Sequence, residues 1–206
     1  MLFARNCRRL DVLFRRIVRS SMIIRNILFV LWFFLPAGLA NMAPIFAAKL
    51  PWLKTFTYPL DGYATFRGRR IFGAHKTIRG LFSGILIGVL TIYLQIYIYA
   101  HVSFVRNFVF IDYAVINPIL FGMLSSVGAL AGDAMKSFFK RQLDIKPGRS
   151  WFPFDQIDYV VGGICCTFLY IQLTLSQYLL LFIIWSLLHP LATLIGYFFR
   201  LKESSI

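Results

Sequence analysis

Four side chains with the chemistry to bind a metal and phosphate groups lie on one predicted helix near residue 140. In the stretch GDAMKSFFKR, Asp133 and Ser137 are one helical turn apart, and Lys140 and Arg141 follow at the next turn. Residues at these spacings project from the same side of a helix. The pattern therefore places a carboxylate, which is a metal ligand, beside a hydroxyl group and two cations that bind phosphate.

Two further aspartates begin the next predicted helix, after the turn-rich link LDIKPGRSWFPF. Asp155 and Asp158 are three residues apart, so their carboxylates face the same point. Together with Asp133 they predict a site for Mg²⁺ and attached phosphates, because Mg²⁺ prefers hard oxygen ligands. The alternative is that Asp155 caps the helix and Asp158 supports the cap from the third position. That alternative does not account for Asp133, which ends an apolar segment where an unpaired charge is costly.

The rest of the chain has the composition of a protein that lies in a membrane. Of its 206 residues 59% are hydrophobic and 17% aromatic, and the mean hydropathy is +0.71. A helix needs about 20 apolar residues to cross the hydrocarbon of a bilayer. The sequence therefore predicts an all-α membrane protein with about five transmembrane helices, which form one domain over residues 22–206. The predicted helices cover residues 26–47, 79–100, 113–132, 157–174 and 178–199.

Residues 1–21 form a basic arm ahead of this domain. Because MIIRNILFVLWFFLPAGLANMAP, from Met22, reads as a natural beginning, we expect the arm to be dispensable or to reflect a mis-assigned start. The alternative is that residues 2–20 form an amphipathic helix on anionic lipid headgroups.

The basic residues predict which side of the membrane each loop faces. Of the 22 Lys and Arg residues, seven lie in loop 47–80, five in loop 133–156 and two, Arg200 and Lys202, in the tail. By the positive-inside rule these segments are cytoplasmic. We therefore expect a multi-pass protein of the cell membrane with an outer amino terminus, two basic cytoplasmic loops and the carboxylate site on the cytoplasmic side. A cytoplasmic arm would instead require four or six spans.

The same basic residues do not predict nucleic-acid binding, because they are divided among short membrane loops and form no groove. The first basic loop, DGYATFRGRRIFGAHKTIRG, supplies more cations near the predicted carboxylate site. Juxtamembrane cations of this kind also bind anionic headgroups of membrane lipids. The sequence does not fix the oligomeric state, and a homo-oligomer stays open.

Four segments in this order resemble the CDP-archaeol synthases, membrane cytidylyltransferases related to the CDP-diacylglycerol synthases. They are LPAGLANMAP in the first helix, DGYATFRGRRIFGAHKTIRG, GDAMKSFFKR and WFPFDQIDYVVGG, and they span roughly residues 30–163. The resemblance implies an Mg²⁺-dependent enzyme of phospholipid biosynthesis that joins CTP to an isoprenoid glycerol ether phosphate. Its products are a CDP-activated lipid and pyrophosphate.

The resemblance also assigns roles by matching motifs. It implies catalytic roles for Asp133, Ser137, Lys140, Asp155 and Asp158, of which the three aspartates hold Mg²⁺. It implies substrate-binding roles for Asn41, Arg70, Gly73, Lys76, Thr77 and Arg141. The departures from the family pattern are Ala74-His75 and Gln142, and none of them replaces a carboxylate.

Other functions stay open at this stage. The lipid phosphate is either digeranylgeranylglyceryl phosphate or, as in CDP-diacylglycerol synthases, phosphatidic acid. A CDP-alcohol phosphotransferase needs paired Asp-Gly elements, whereas this sequence has only Asp61-Gly62. A lipid transporter or scaffold, with the acidic cluster closing a gate, would bind neither CTP nor Mg²⁺.

Overall fold

The computed structural model describes residues 2–146 and 149–198, and the surroundings of side chains from 21 to 188 and at 190 within those ranges. Its long helices are α1 (Leu2–Ala47), α3 (Ile78–His101), α5 (Pro118–Gln142), α6 (Phe154–Phe168) and α7 (Leu175–Phe198). Shorter elements are α2 (Pro51–Lys54), β1 (Thr65–Phe66), β2 (Arg69–Arg70) and α4 (Ser103–Phe108). The side chains of the basic arm before Ser21, and Arg200 and Lys202 of the predicted tail, lie outside this description.

Three helices are long and apolar enough to cross a membrane within the described residues. They cover Ser21–Ala47, Ile78–His101 and Pro118–Gln142, and the apolar part of α7, Leu175–Leu188, is shorter. The predicted fourth span becomes α6, which has 15 residues. The mostly helical architecture is confirmed, while the count of five spans stays a prediction.

Helix α5 continues beyond the predicted span 113–132. It ends at Gln142, so Asp133, Ser137, Lys140 and Arg141 lie on one helix, as their spacing predicted. Apolar content falls at residue 133, but the backbone continues as a helix because its last turns carry good helix formers such as Lys140 and Arg141. The site residues at 133–141 are therefore on a rigid element.

The core of the bundle forms around the membrane segment of α1. Phe29, Val30, Phe33, Phe34 and Ala37 are fully buried, and their cluster includes side chains from α3, α5, α6 and α7. Small residues let the other helices approach. In α3, a Cβ at Gly84 would lie 2.9 Å from the carbonyl oxygen of Ala40 in α1, so glycine is needed for this close contact.

The contact between α5 and α6 is closer still and determines the site geometry. A Cβ at Gly132 would lie 2.1 Å from the carbonyl oxygen of Asp158, and one at Gly162 would lie 2.2 Å from that of Gly128. The two backbones touch at these glycines, because no side chain separates them. This contact places Asp133 of α5 next to Asp158 of α6.

The segment between α1 and α3 folds back over the end of the bundle. Strands β1 and β2 pair antiparallel, with Thr65 opposite Arg70 and Phe66 opposite Arg69. A further bridge joins Pro59 to Thr77, and Thr77 caps α3 by accepting a hydrogen bond from the Gly80 backbone N–H. The segment ends with Lys76 directed towards α5.

Candidate active site

Three aspartates from two helices converge on one lysine. Lys136 Nζ lies 2.7 Å from Asp158 Oδ2, 3.1 Å from Asp133 Oδ1 and 3.2 Å from Asp155 Oδ1. Lys136 and Asp133 are three residues apart on α5, whereas both other aspartates belong to the first turns of α6. The Gly132 contact between the two helices therefore brings all three carboxylates together.

Two more lysines complete the cluster from opposite sides. Lys76, from the loop before α3, forms an ion pair with Asp133 Oδ2. Lys140, one turn beyond Lys136, lies 2.7 Å from Asp155 Oδ1 and donates a hydrogen bond of 2.7 Å to the Arg149 carbonyl oxygen. All six charged side chains are at most 24% exposed. Such poorly solvated charges are tolerated because each has an opposite charge within contact distance.

Asp155 also anchors the link between α5 and α6. Its Oδ2 accepts a hydrogen bond of 2.5 Å from the Trp151 backbone N–H. The same Oδ2 atom accepts a hydrogen bond of 2.9 Å from the Lys140 ammonium group. Helix α6 begins at Phe154, and Pro153 precedes it without a side-chain cap. Helix capping therefore does not account for Asp158, which points at Lys136.

The three carboxylates have the chemistry expected of a divalent-metal site. Their oxygens surround a single point, and Asp158 Oδ2 is buried and makes no hydrogen bond of acceptable geometry, although the Lys136 ammonium group is its ion-pair partner. In the described part of the chain, no three carboxylate, imidazole or thiolate groups are arranged so that they could hold a metal ion as they stand. Lys136 Nζ lies between the three carboxylates, whose hard oxygens are the type of ligand that Mg²⁺ prefers.

Asp61 holds the basic loop in shape. Its buried carboxylate accepts hydrogen bonds from the backbone N–H groups of Tyr63, Phe72 and Gly73 and from the Arg70 guanidinium group, at 2.5 to 3.3 Å. Burial acts to raise the pKa of Asp61, but these hydrogen bonds outweigh it and lower the pKa to about 2. Asp61 thus fixes the turn just ahead of Lys76.

The other predicted residues are spread around the cluster. Ser137 donates to the Asp133 carbonyl oxygen at 2.9 Å, which is a bond within α5. Arg70 pairs with Asp61, and Arg141 donates to the Ile145 carbonyl oxygen at the end of α5. Gly73 has a φ of +89°, a conformation that glycine adopts readily. These contacts are local, and none of them joins the three carboxylates.

A cavity of about 710 Å³ opens beside Asp133. Its polar lining comes from Asn41, Thr57, His75, Lys76, Thr77, Arg79 and Asp133, and apolar side chains of α1, α3, α5 and the segment between α1 and α3 line the remainder. The Asn41 Oδ1 atom is buried and has no hydrogen-bond partner. The cavity lining thus combines cations with many apolar side chains, which suits an amphiphile with an anionic head.

Sequence reasoning missed two residues of this arrangement, Lys136 and Asp61. Lys136 lies in the quoted motif between Asp133 and Ser137, and its spacing of three from Asp133 was the available signal. Asp61 gave no such signal, because three of its partners, Arg70, Phe72 and Gly73, lie 9 to 12 residues further along an irregular loop.

A family model described as CarS-like, CDP-archaeol synthase, matches residues 23–205. The chain belongs to the CDP-archaeol synthase family. The predicted resemblance is confirmed, and the match extends well beyond the four motifs that suggested it. The family match begins after the first 22 residues.

Several CDP-archaeol synthases are similar over most of their length. The one from Methanosarcina mazei is 38% identical over 161 residues, which cover 70% of this chain and 88% of the relative. The one from Methanosarcina barkeri is 37% identical, covering 82% and 98%, and that from Pyrobaculum islandicum is 32% identical, covering 84% and 96%.

A solved structure of an intramembrane enzyme for archaeal membrane lipid biosynthesis has the same fold. It superposes with a TM-score of 0.63 at 28% identity and covers 82% of this chain and 94% of its own. These likenesses and the three apolar helices indicate that this member of the CDP-archaeol synthase family is a membrane protein.

Proposed function

We propose that this protein transfers CMP from CTP to digeranylgeranylglyceryl phosphate, which yields CDP-archaeol lipid and pyrophosphate. Membership of the CDP-archaeol synthase family supports this reaction. The observation that carries it is that the charge cluster borders a largely apolar cavity, because Lys76 and Asp133 belong to both. This arrangement suits a reaction between a lipid phosphate and a nucleotide phosphate.

The reaction is an in-line displacement at phosphorus. An oxygen of the lipid phosphate attacks the α-phosphorus of CTP, a new P–O bond forms, and the bond to the β-phosphate oxygen breaks as pyrophosphate leaves. The attacking phosphate is already an anion at neutral pH, so neither a protein nucleophile nor a strong base is needed. The protein's part is to position the two substrates and to neutralise their charges.

Named side chains take up these tasks. Lys76 lies where the cavity meets the carboxylate cluster. It therefore binds a phosphate group of one of the two substrates at this point. Lys140, on the other side of the cluster, binds the triphosphate. Asp133, Asp155 and Asp158 would hold Mg²⁺, which supplies neutralisation of the phosphate charge when bound. The apolar wall of the cavity holds the first part of the lipid chains.

We assign α6 and α7 as the fourth and fifth spans, with the amino terminus outside. This topology puts the end of α5 and both basic loops on the cytoplasmic side, where CTP is available. It rests on the positive-inside rule and on the apolar sequences of α6 and α7.

Pyrophosphate release by the purified protein in detergent tests the reaction. CTP and Mg²⁺ are supplied with digeranylgeranylglyceryl phosphate in one arm and phosphatidic acid in the other, each with and without EDTA. We expect EDTA-sensitive release with the ether lipid. Release with phosphatidic acid alone would reassign the lipid, and no release from folded protein with either lipid would contradict the proposal.

A pair of matched variants locates the reaction. Asp133→Asn should abolish release while the helical circular dichroism signal persists, because it removes one charge from the cluster. Asp144→Asn removes the same charge from a side chain that is 84% exposed, and it should leave the rate unchanged. Wild-type rates in Asp133→Asn would exclude this site.

A further inference from the structure

Lys136 occupies the centre of the carboxylate cluster. It is the lysine within 3.2 Å of all three aspartates, and its side chain is 15% exposed. Lys76 and Lys140, in contrast, each pair with one aspartate at the edge of the cluster. The Lys136 ammonium group therefore holds the point on which a divalent cation would make its contacts with the three carboxylates.

The charges of the cluster balance in this state. Three aspartates face Lys76, Lys136 and Lys140 in the ion pairs of the described residues, so the net charge is zero. A cluster with no net charge attracts a nucleotide triphosphate less strongly than a positive cluster does. It is nevertheless a stable resting arrangement, because each carboxylate is neutralised without a metal.

We propose that Lys136 is an internal cation that a divalent metal displaces from the three carboxylates, so that metal binding switches the site from neutral to positive. The metal adds two positive charges, while the charge of Lys136 stays nearby on its flexible four-carbon side chain. The net charge of the site rises from zero to about +2. This inference rests on the proposed function, and it implies that the metal enters first and strengthens the binding of CTP.

The position of Lys136 in the helix allows this exchange. Its backbone is fixed in α5, so the movement involves only side-chain torsions. Lys140, which lies one turn further along the same face, shows that an ammonium group on this face reaches the link before α6 through its bond to the Arg149 carbonyl oxygen. The Lys136 side chain needs to extend over a similar distance for its ammonium group to leave the three carboxylates.

Binding of Mn²⁺ in the absence of CTP and lipid, measured by electron paramagnetic resonance, tests the competition directly. Lys136→Met removes the competing cation and should tighten Mn²⁺ binding at least about tenfold. Lys136→Arg keeps the charge and should bind Mn²⁺ no more tightly than the wild type. Lys146→Met, which removes a charge from an exposed lysine of the same region, should leave the affinity unchanged. Equal affinity in folded Lys136→Met and wild type would overturn the proposal.

A second measurement uses the wild-type protein, so it does not depend on the folding of a variant. Lysine acetylation is followed by mass spectrometry with and without Mg²⁺, and NaCl of equal ionic strength is the control. We expect Mg²⁺ alone to raise the labelling rate of Lys136 several-fold relative to that of Lys146. An unchanged rate for Lys136 overturns the proposal, whatever the variants do.

Neither measurement involves the transfer reaction. Metal exchange at Lys136 without any CMP transfer would contradict the proposed function alone. CMP transfer without exchange at Lys136 would contradict this inference alone.

Discussion

The substitution Gly132→Ala tests whether the contact between α5 and α6 sets the geometry of the carboxylates. The added methyl group would lie 2.1 Å from the Asp158 carbonyl oxygen and 2.9 Å from its carbonyl carbon. Both are backbone atoms of α6, so no side-chain rotation relieves the overlap. The two helices have to separate, and Asp158 moves with its backbone.

The size of the separation follows from the 2.1 Å distance between the added methyl group and the Asp158 carbonyl oxygen. Contacts of Cβ atoms below 3.0 Å are essentially never seen, so α6 has to move by at least about 0.9 Å. The contacts of Lys136 with Asp155 and Asp158 span the same two helices, at 3.2 and 2.7 Å. A misplacement of about 1 Å in a catalytic site costs about 100-fold in rate, and overpacking costs about 1–3 kcal/mol of stability.

The matched control is Gly163→Ala, on α6 but facing α1. Its methyl group would lie 2.5 Å from Cζ of the Phe34 ring, so it overpacks against a side chain rather than the backbone next to an aspartate. Both variants should lower the thermal unfolding temperature in detergent. Only Gly132→Ala should lower kcat for pyrophosphate release by about 100-fold. Wild-type kcat in folded Gly132→Ala, or equal losses of kcat in both variants, would refute the reasoning.

Three further predictions concern the basic loop. Lys76→Met should lower kcat/KM for CTP at least about tenfold, because it removes a phosphate-binding cation. Lys54→Met, at an exposed lysine, should not lower kcat/KM. Equal values of kcat/KM in the two variants would remove Lys76 from the site. Asp61→Asn should speed hydrogen exchange at the Phe72 and Gly73 amides about tenfold or more, since hydrogen bonds to a charged group are lost; unchanged exchange would mean that Asp61 does not hold the loop. Because the pKa of Asp61 is lowered to about 2, its stabilisation should be complete above about pH 4 and lost as the pH falls towards 2. Exchange rates corrected for intrinsic pH effects should show this loss in the wild type and not in Asp61→Asn.

The helices and the choice of aspartates followed from local pattern. Apolar runs located α1, α3 and α5, because the length of a membrane span is set by the bilayer. The spacing of Asp155 and Asp158 placed both on one side of α6, and the structure does bring them together with Asp133. Their role as metal ligands stays a prediction.

The partners of individual side chains could not be read from the sequence in the same way. Lys136 shares a face with Asp133, but its contacts with α6 depend on the backbone contact at Gly132, which is a tertiary feature. Arg70 looked like a substrate cation from its place in a basic motif. Its pairing with Asp61 depends on a loop in which Gly62 and Tyr63 have positive φ, and no helical or strand period describes such a loop.

The destination of the CTP phosphates tests the central claim most directly. The purified protein is incubated with Mg²⁺, digeranylgeranylglyceryl phosphate and CTP that carries radioactive phosphorus at either the α or the γ position. The lipid is then extracted and counted. If the protein transfers CMP, label from the α position appears in the lipid and label from the γ position stays in aqueous pyrophosphate. Label from the γ position in the lipid, or no label from either, would contradict the account.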